Sequence, residues 1–451
     1  MNEQSKDQRD DRSEQGLVLA IVLFAFVLRV GMMLAFRTYE FEDDWHFGFE
    51  TGRVAAAIAG GEGFSSPFPK PSGPTAWLSP GYPVLLAAIF KTMGIYSQQS
   101  AVAAIAINSL FSALTCVPLF FLCKEVFGRD VGLAAAVMFA VYPAAVWHSI
   151  VTVWDASLFT LMIVTLLYWM SSLSRQPRVS VLLLFGLFIG LVALINPVII
   201  AFVPFVMIWM FVRLNGLAKK RLSLLCVVCV FALLPLVPWL VRNWVVMGEP
   251  VVRSNFGVEL KLGNTEEVWV NRQEGKSVST MAKHPSNDEA EFQRFSTLGE
   301  IQYADVCFGE AMDWIRNQPI AFLGLTLDRF ASFWIGDWST RNTWQGSLKS
   351  SIDLSLLKRV FHALPALLSL IGIAIAMRRG LNHTAALVGI LCFLPMVYYL
   401  THVSQRYRFP IEPVLIAFLC YGVRETGDWL LNRVNLVRVD SKTLSENSRC
   451  P

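Results

Sequence analysis

The sequence predicts an all-α integral membrane protein of about ten transmembrane helices, with external loops that carry interfacial helices. Three observations carry this expectation. Hydrophobic residues make up 54% of the 451-residue chain and charged residues only 16%, more apolar than a soluble domain of ordinary charge content. The apolar residues fall into a series of runs that approach or reach the roughly 20 residues a bilayer-crossing helix needs. Lys and Arg gather in alternate short loops, which defines one cytoplasmic side.

The runs are 17–36, 101–122, 131–147, 153–170, 179–195, 198–212, 222–241, 356–377, 385–400 and 411–423. Segment 81–90 lies between Pro80 and Gly94, is shorter than a span and reads as an interfacial helix. Lys124 and Arg129, Arg175 and Arg178, Arg213 with Lys219, Lys220 and Arg221, and Arg378 and Arg379 are then all cytoplasmic, as is the N-terminus. The hydrophilic start leads into an apolar run too long for a signal-peptide core, so it reads as an uncleaved anchor.

The expected organisation is a cytoplasmic tail (1–16), an N-terminal transmembrane module (17–241) with an acidic first external loop (37–100), a long external loop (242–355), C-terminal transmembrane helices (356–425) and a cytoplasmic tail (426–451). Within the long loop, 266–300 is mixed and charged, whereas 311–338 carries the aromatic and aliphatic residues of a helix resting on the bilayer. The net charge of +4 is accounted for by cytoplasmic loops, and no nucleic-acid partner is needed to explain it. Of the eight cysteines, Cys226 and Cys229 form a CxxC inside an apolar run with no further ligand nearby, which reads as small packing residues.

Chemistry on a polar substrate belongs on the external side. The stretch EFEDDWHFGFETGR (40–53) puts five carboxylates into fourteen residues directly after the first span. If a helix begins at Asp43 or Asp44, then Asp43, His46, Glu50 and Arg53 share one face. An N-cap role for the aspartates and a surface pairing of Glu50 with Arg53 remain the alternatives. The loop runs on through Gly- and Pro-rich turns, more elaborate than a connector, and a carboxylate there can act as a general base.

Other polar groups lie at similar depth. Arg29 falls inside the first apolar run, where it either marks a site with a partner or snorkels to the headgroups. Asp155 opens the fourth run, and Asn196 stands before Pro197 as a helix cap or a ligand. In THVSQRYRFPIEP (401–413), Arg406 and Arg408 flank Tyr407 and are followed by Glu412. Guanidinium groups at the outer interface suit a phosphate.

These pieces resemble the GT-C class of polytopic glycosyltransferases, in particular the family 39 branch related to protein O-mannosyltransferases and aminoarabinose transferases. The resemblance is carried by EDDWHFGFETG, AxxIAGGEGF, PTAWLSPGYPVLLA, PWLVRNWVVMGEPV with KLGN after it, and RYRFPIEP, over 17–421. It implies a GT-C-type fold and a transferase on the external face of a bacterial inner membrane. The donor would be a polyprenyl-phosphate-linked sugar and the acceptor a hydroxyl on a glycan, lipid or protein. Asp43 or Asp44 would be the base, Arg406 and Arg408 would stabilise the leaving phosphate, and Asp155 would be a second acidic position. A divalent cation is an optional companion of the acids. The rival readings are a transporter or flippase for a lipid-linked saccharide, a ligase that transfers a whole glycan, and a non-catalytic envelope subunit. A transporter calls for polar residues on both sides of the midplane, whereas here they cluster outward.

Overall fold

A computed structural model describes residues 3–41, 44–274, 280–336, 355–381 and 383–447. Among the described residues the regular structure is helical throughout, and the nearest approach to a strand is one isolated bridge between Ser65 and Pro74.

The first half follows the apolar runs closely. Helix α1 (Glu3–Phe36) leads through the acidic loop to α2 (Glu50–Gly60) and α3 (Gly81–Met93). Then come α4 (Gln98–Leu114) and α5 (Cys116–Phe127), which together form one apolar rod. The rod turns back into α6 (Arg129–Val141) and α7 (Pro143–Ile150), bent by 46° at the proline. Next are α8 (Ala156–Ser172), α9 (Val179–Ile195), α10 (Val203–Arg213), α11 (Ala218–Leu233) and α12 (Val237–Met247). The last two are bent by 53°, next to Pro235 and Pro238. Proline removes a backbone donor and clashes with the preceding turn, which is why both runs break rather than cross as straight rods.

By length and composition, 3 helices can each cross a membrane, or up to 5 spans if each bent pair counts as one, and the remaining apolar helices are shorter. The ten runs read from hydropathy are therefore not ten uniform spans; several are helix pairs or short helices packed inside the bundle. Close approach comes from small residues. A Cβ at Gly186 would stand 2.5 Å from the Val228 carbonyl and one at Gly190 would stand 2.2 Å from that of Ala232, so this small-xxx-small pair lets α9 and α11 touch backbone to backbone.

The long segment after α12 forms α13 (Phe256–Gly263), α14 (Glu266–Gln273), α15 (Glu289–Leu298), α16 (Glu300–Asn317) and α17 (Pro319–Ile335). The interfacial helix expected over 311–338 is divided at Gln318–Pro319. Ile320, Leu323, Leu327 and Phe330 are all exposed on α17, the apolar stripe of a helix lying on lipid. The chain returns through α18 (Ser355–Arg378), α19 (Thr384–Phe393), α20 (Met396–Leu400) and α21 (Glu412–Asn447).

Three apolar cores result. The largest lies in the bundle, a second joins the C-terminal end of α1 to α3, α4 and α7, and a third joins the 64–80 loop to α13, α15 and α16. Phe68, Trp77, Phe292, Phe295 and Tyr303 pack together in that third core. Fully burying each such side chain is worth about 1.5–3 kcal/mol, which fastens that loop to the helices after α12.

Candidate functional site

The site is assembled from five loops, and backbone pairing seats the first. Instead of one helix from Asp43, the acidic loop forms a 3₁₀ turn over Asp44–Phe47, then breaks at Gly48 (φ 86°) and Phe49 (φ 57°) before α2 starts at Glu50. His46, Glu50 and Arg53 thus do not share a single helical face. The cause is tertiary: the His46 carbonyl accepts the Val153 N–H at 3.0 Å, and a Cβ on Gly48 would come within 2.2 Å of the Val153 carbonyl. This docking sets the turn that Asp44 opens against Trp154 and Asp155. Asp43 lies outside the described residues.

The second and third loops are sewn together. Ser254 N–H donates to the Ala76 carbonyl at 3.0 Å, and Arg253 Nε to the Trp77 carbonyl at 2.9 Å. Buried Glu300 accepts from Ala76 N–H at 2.7 Å, from Ser254 Oγ at 2.6 Å, and from Thr75 Oγ1. Burial raises the Glu300 carboxyl above its ordinary value despite these donors. Arg242 adds bonds to the carbonyls of Thr75 (2.6 Å) and Phe64 (2.7 Å). The motifs PTAW and RNW, distant in sequence, are parts of one joint.

The charged groups converge next to this joint. Half-buried Asp155 accepts from Asn196 Nδ2 at 3.0 Å, and Asn196 also caps the following turn through Val198 N–H at 3.1 Å. The capping expected of Asn196 is present, and its amide also holds Asp155. Arg253 and Arg406 both act on the Asp155 carboxylate, yet among the described residues no carboxylate lies within ion-pair distance of either guanidinium. Arg406 stands 4.0 Å from the centre of the Trp154 ring and 5.2 Å from that of Tyr407. Burial opposes its charge, but Tyr407, Asp155 and Glu50 hold its pKa above the usual arginine value. Guanidinium groups that make no ion pair among the described residues keep N–H donors for an anionic ligand.

Glu50 faces this group from α2. It accepts from Trp77 Nε1 at 3.1 Å and lies 3.3 Å from His284 Nε2. His46 stacks on Phe41 at 5.3 Å between ring centres. Among the described residues, no three His, Cys, Asp or Glu side chains gather to hold a metal ion; Asp155 faces cations and an amide, and Glu50 an indole and an imidazole.

Three of the expected site residues are placed elsewhere. Arg29 is fully buried, and its guanidinium donates to Ser112 Oγ (3.1 Å) and to the carbonyls of Ala25 (3.0 Å), Ala140 (2.8 Å) and Phe139 (3.4 Å). At the break before Pro143 the Phe139 carbonyl keeps only the Tyr142 N–H at 3.3 Å, and Arg29 supplies donors to it and to the Ala140 carbonyl. It neither snorkels nor faces the charged cluster. Arg408 is also fully buried and bonds Glu412 Oε1 (2.6 Å) and the carbonyls of Trp334 (2.7 Å) and His362 (2.6 Å). Glu412 in turn accepts from Tyr142 OH at 3.2 Å. The Arg408–Glu412 pair therefore clamps α17, α18 and α21, so Arg408 is not beside Arg406 at the charged cluster, whereas Arg253 is. Sequence reasoning missed Arg253, Glu259, His284 and His402; the signals were that Arg253 and Glu259 flank motifs already singled out and that His402 lies within the stretch 401–413.

Residues 79–241 match the family described as dolichyl-phosphate-mannose-protein mannosyltransferase. No curated protein sequence matches the chain. Among solved structures, an oligosaccharyltransferase from Archaeoglobus fulgidus, crystallised with zinc and sulfate, is 15% identical with a TM-score of 0.49. The alignment covers 94% of this chain and 51% of that one, so the chain spans about half its length. The same archaeal enzyme in complex with an inhibitory peptide and a dolichol-phosphate is 16% identical over 94% of this chain and 52% of that one, with a TM-score of 0.49. ArnT from Cupriavidus metallidurans, bound to undecaprenyl phosphate, is 14% identical over 92% of this chain and 79% of that one, with a TM-score of 0.37.

Proposed function

We propose that this protein transfers a sugar from a polyprenyl-phosphate-linked donor to an acceptor hydroxyl at the external face of a bacterial inner membrane, along the lines of the family 39 branch. The observation that carries the reading is the convergence of Arg253 and Arg406 on Asp155 beside the docked acidic loop. It supports a phosphate held by the two guanidinium groups, and the resemblance assigns the base to Asp43 or Asp44. One of these carboxylates would take the proton of the acceptor hydroxyl as its oxygen attacks the anomeric carbon. The bond from that carbon to the phosphate oxygen breaks, and the negative charge developing on the lipid phosphate is met by Arg406 and Arg253. Glu50 and Asp155 would orient the sugar or the cations. The predicted domain limits, with 37–100 and 242–355 external, belong to this proposal.

The test is sugar release from a panel of radiolabelled polyprenyl-phosphate sugars by the purified protein beside Asp43→Asn and Asp44→Asn. Release by the wild type that falls about 10²–10⁴-fold in one variant is the expected result. Saturable donor binding with no release by the wild type would overturn the transferase reading in favour of transport.

A further inference from the structure

Beyond the groups expected to touch the donor, a chain of three side chains from two remote segments ends on Arg406. Glu259 lies on α13, one turn before KLGN. The end of α13 is pressed against the end of α20: a Cβ on Gly263 would stand 1.8 Å from the Thr401 carbonyl, and Asn264 Nδ2 donates to the Leu400 carbonyl at 2.8 Å. Arg329 on α17 bonds both sides of the contact through Asn264 Oδ1 (3.0 Å) and the Leu400 carbonyl (3.1 Å). This joint puts Glu259 Oε2 3.4 Å from His402 Nδ1. His402 Nε2 is 2.9 Å from the Tyr407 hydroxyl, and the Tyr407 ring is stacked on Tyr398 at 4.3 Å and 9°, which fixes its plane.

We infer that Glu259, His402 and Tyr407 form a relay that positions Arg406, making His402 a positioning residue for the guanidinium assigned to the donor phosphate; the assignment of a phosphate to Arg406 rests on the function proposed above. With the carboxylate on the Nδ1 side, the neutral imidazole carries its proton there, and Nε2 accepts from the Tyr407 O–H. The Tyr407 ring in turn lies against the Arg406 guanidinium, whose central carbon is 5.2 Å from the ring centre. A proton added at Nε2 reverses that bond: the imidazolium donates, the hydroxyl hydrogen turns away from it, and a further positive charge appears beside Arg406. The groups that face His402 are Glu259 from α13, Arg329 from α17, His284 from the long segment after α12, and Arg406 and Tyr407 from its own. Burial and the three cationic or imidazole neighbours outweigh Glu259 and lower the His402 pKa from 6.5, so the neutral relay is the resting state at neutral pH.

The test reads the relay directly and through turnover. Trp154 emission, taken as the difference between wild type and Trp154→Phe, reports the Arg406 guanidinium because the two are in contact. In nanodiscs, this emission is expected to change with a single titration below pH 6.5, the ordinary imidazole value, and the change is expected to vanish in His402→Gln, whose amide still takes the Tyr407 bond without titrating. Glu259→Gln is expected to move the midpoint to lower pH. In donor turnover, Tyr407→Phe and His402→Ala are each expected to lower kcat by about tenfold with less change in KM, non-additively in the double variant. His402→Gln should recover most of the His402→Ala loss. An emission change that persists unaltered in His402→Gln, or additive losses in the double variant, would overturn the relay. An intact emission titration lost in His402→Gln, with no turnover of any donor, would uphold the relay while removing the transferase reading.

Discussion

The Arg406 guanidinium stands 4.0 Å from the centre of the Trp154 ring, joining a residue just before the last helix to the residue that precedes Asp155. Arg408, two positions on, is held away from it in a buried ion pair with Glu412. The turn over Gln405–Ile411 is a 3₁₀ helix, in which residues two apart point to different sides. One arginine is thereby given to the site and the other to the scaffold.

That division predicts opposite phenotypes. Arg406→Ala should lower kcat for sugar transfer by about 10²-fold, a transition-state loss of about 2.7 kcal/mol, with thermal unfolding little changed. Arg406→Lys should recover part of the charge but not the planar stack on Trp154. Steady-state turnover and a melting curve on the same preparations decide the matter.

Arg408→Ala should instead destabilise the fold by about 3–5 kcal/mol, because Glu412 would remain buried without its cation. The measurement is unfolding in detergent or nanodiscs. A melting temperature equal to that of the wild type would contradict the clamp.

Gly48→Ala tests the docking of the acidic loop. The residue has φ 86°, and its added Cβ would meet the Val153 carbonyl at 2.2 Å, so the local cost is at least about 1–3 kcal/mol. The bundle should still form, while turnover falls by an order of magnitude or more and the 40–53 loop becomes a site of limited proteolysis.

His402 gives the pH dependence. Its pKa is lowered in the folded protein, so the unfolded chain binds more protons and stability rises with pH in this window. The stability is fully present above 6.5, the ordinary value, and is lost as pH falls through the folded value. Wild type should therefore lose stability relative to His402→Gln below about pH 6.5; parallel melting curves across that range would count against it.

Glu300→Ala should separate the loops that frame the site. The carboxylate holds Thr75, Ala76 and Ser254 together, and its loss leaves buried donors unpaired at about 1–3 kcal/mol. Trp77 and Arg253 sit on the strands of chain so joined, so hydrogen exchange at 75–77 and 253–255 should rise together.

By itself, the sequence determined the helical class, the runs that build the bundle and the polar residues that interrupt them, because hydropathy and proline act locally. It also singled out Asp155, Asn196 and Arg406 one at a time. Only the tertiary structure decided which of them meet. Periodicity made 43–53 a single helix face, whereas the bond from Val153 to the His46 carbonyl and the contact at Gly48 impose a break. Composition made Arg29 and Arg408 equal to Arg406, whereas carbonyls around breaks and helix ends claim the first two. Arg253, Glu259 and His402 lie in or beside motifs already singled out, but nothing local marks their roles, since each takes its role from a partner brought close by packing of the segment 253–335 on the bundle. A charge in an apolar run is costly wherever it sits; whether it meets a substrate or a stranded carbonyl depends on which helix ends are folded next to it.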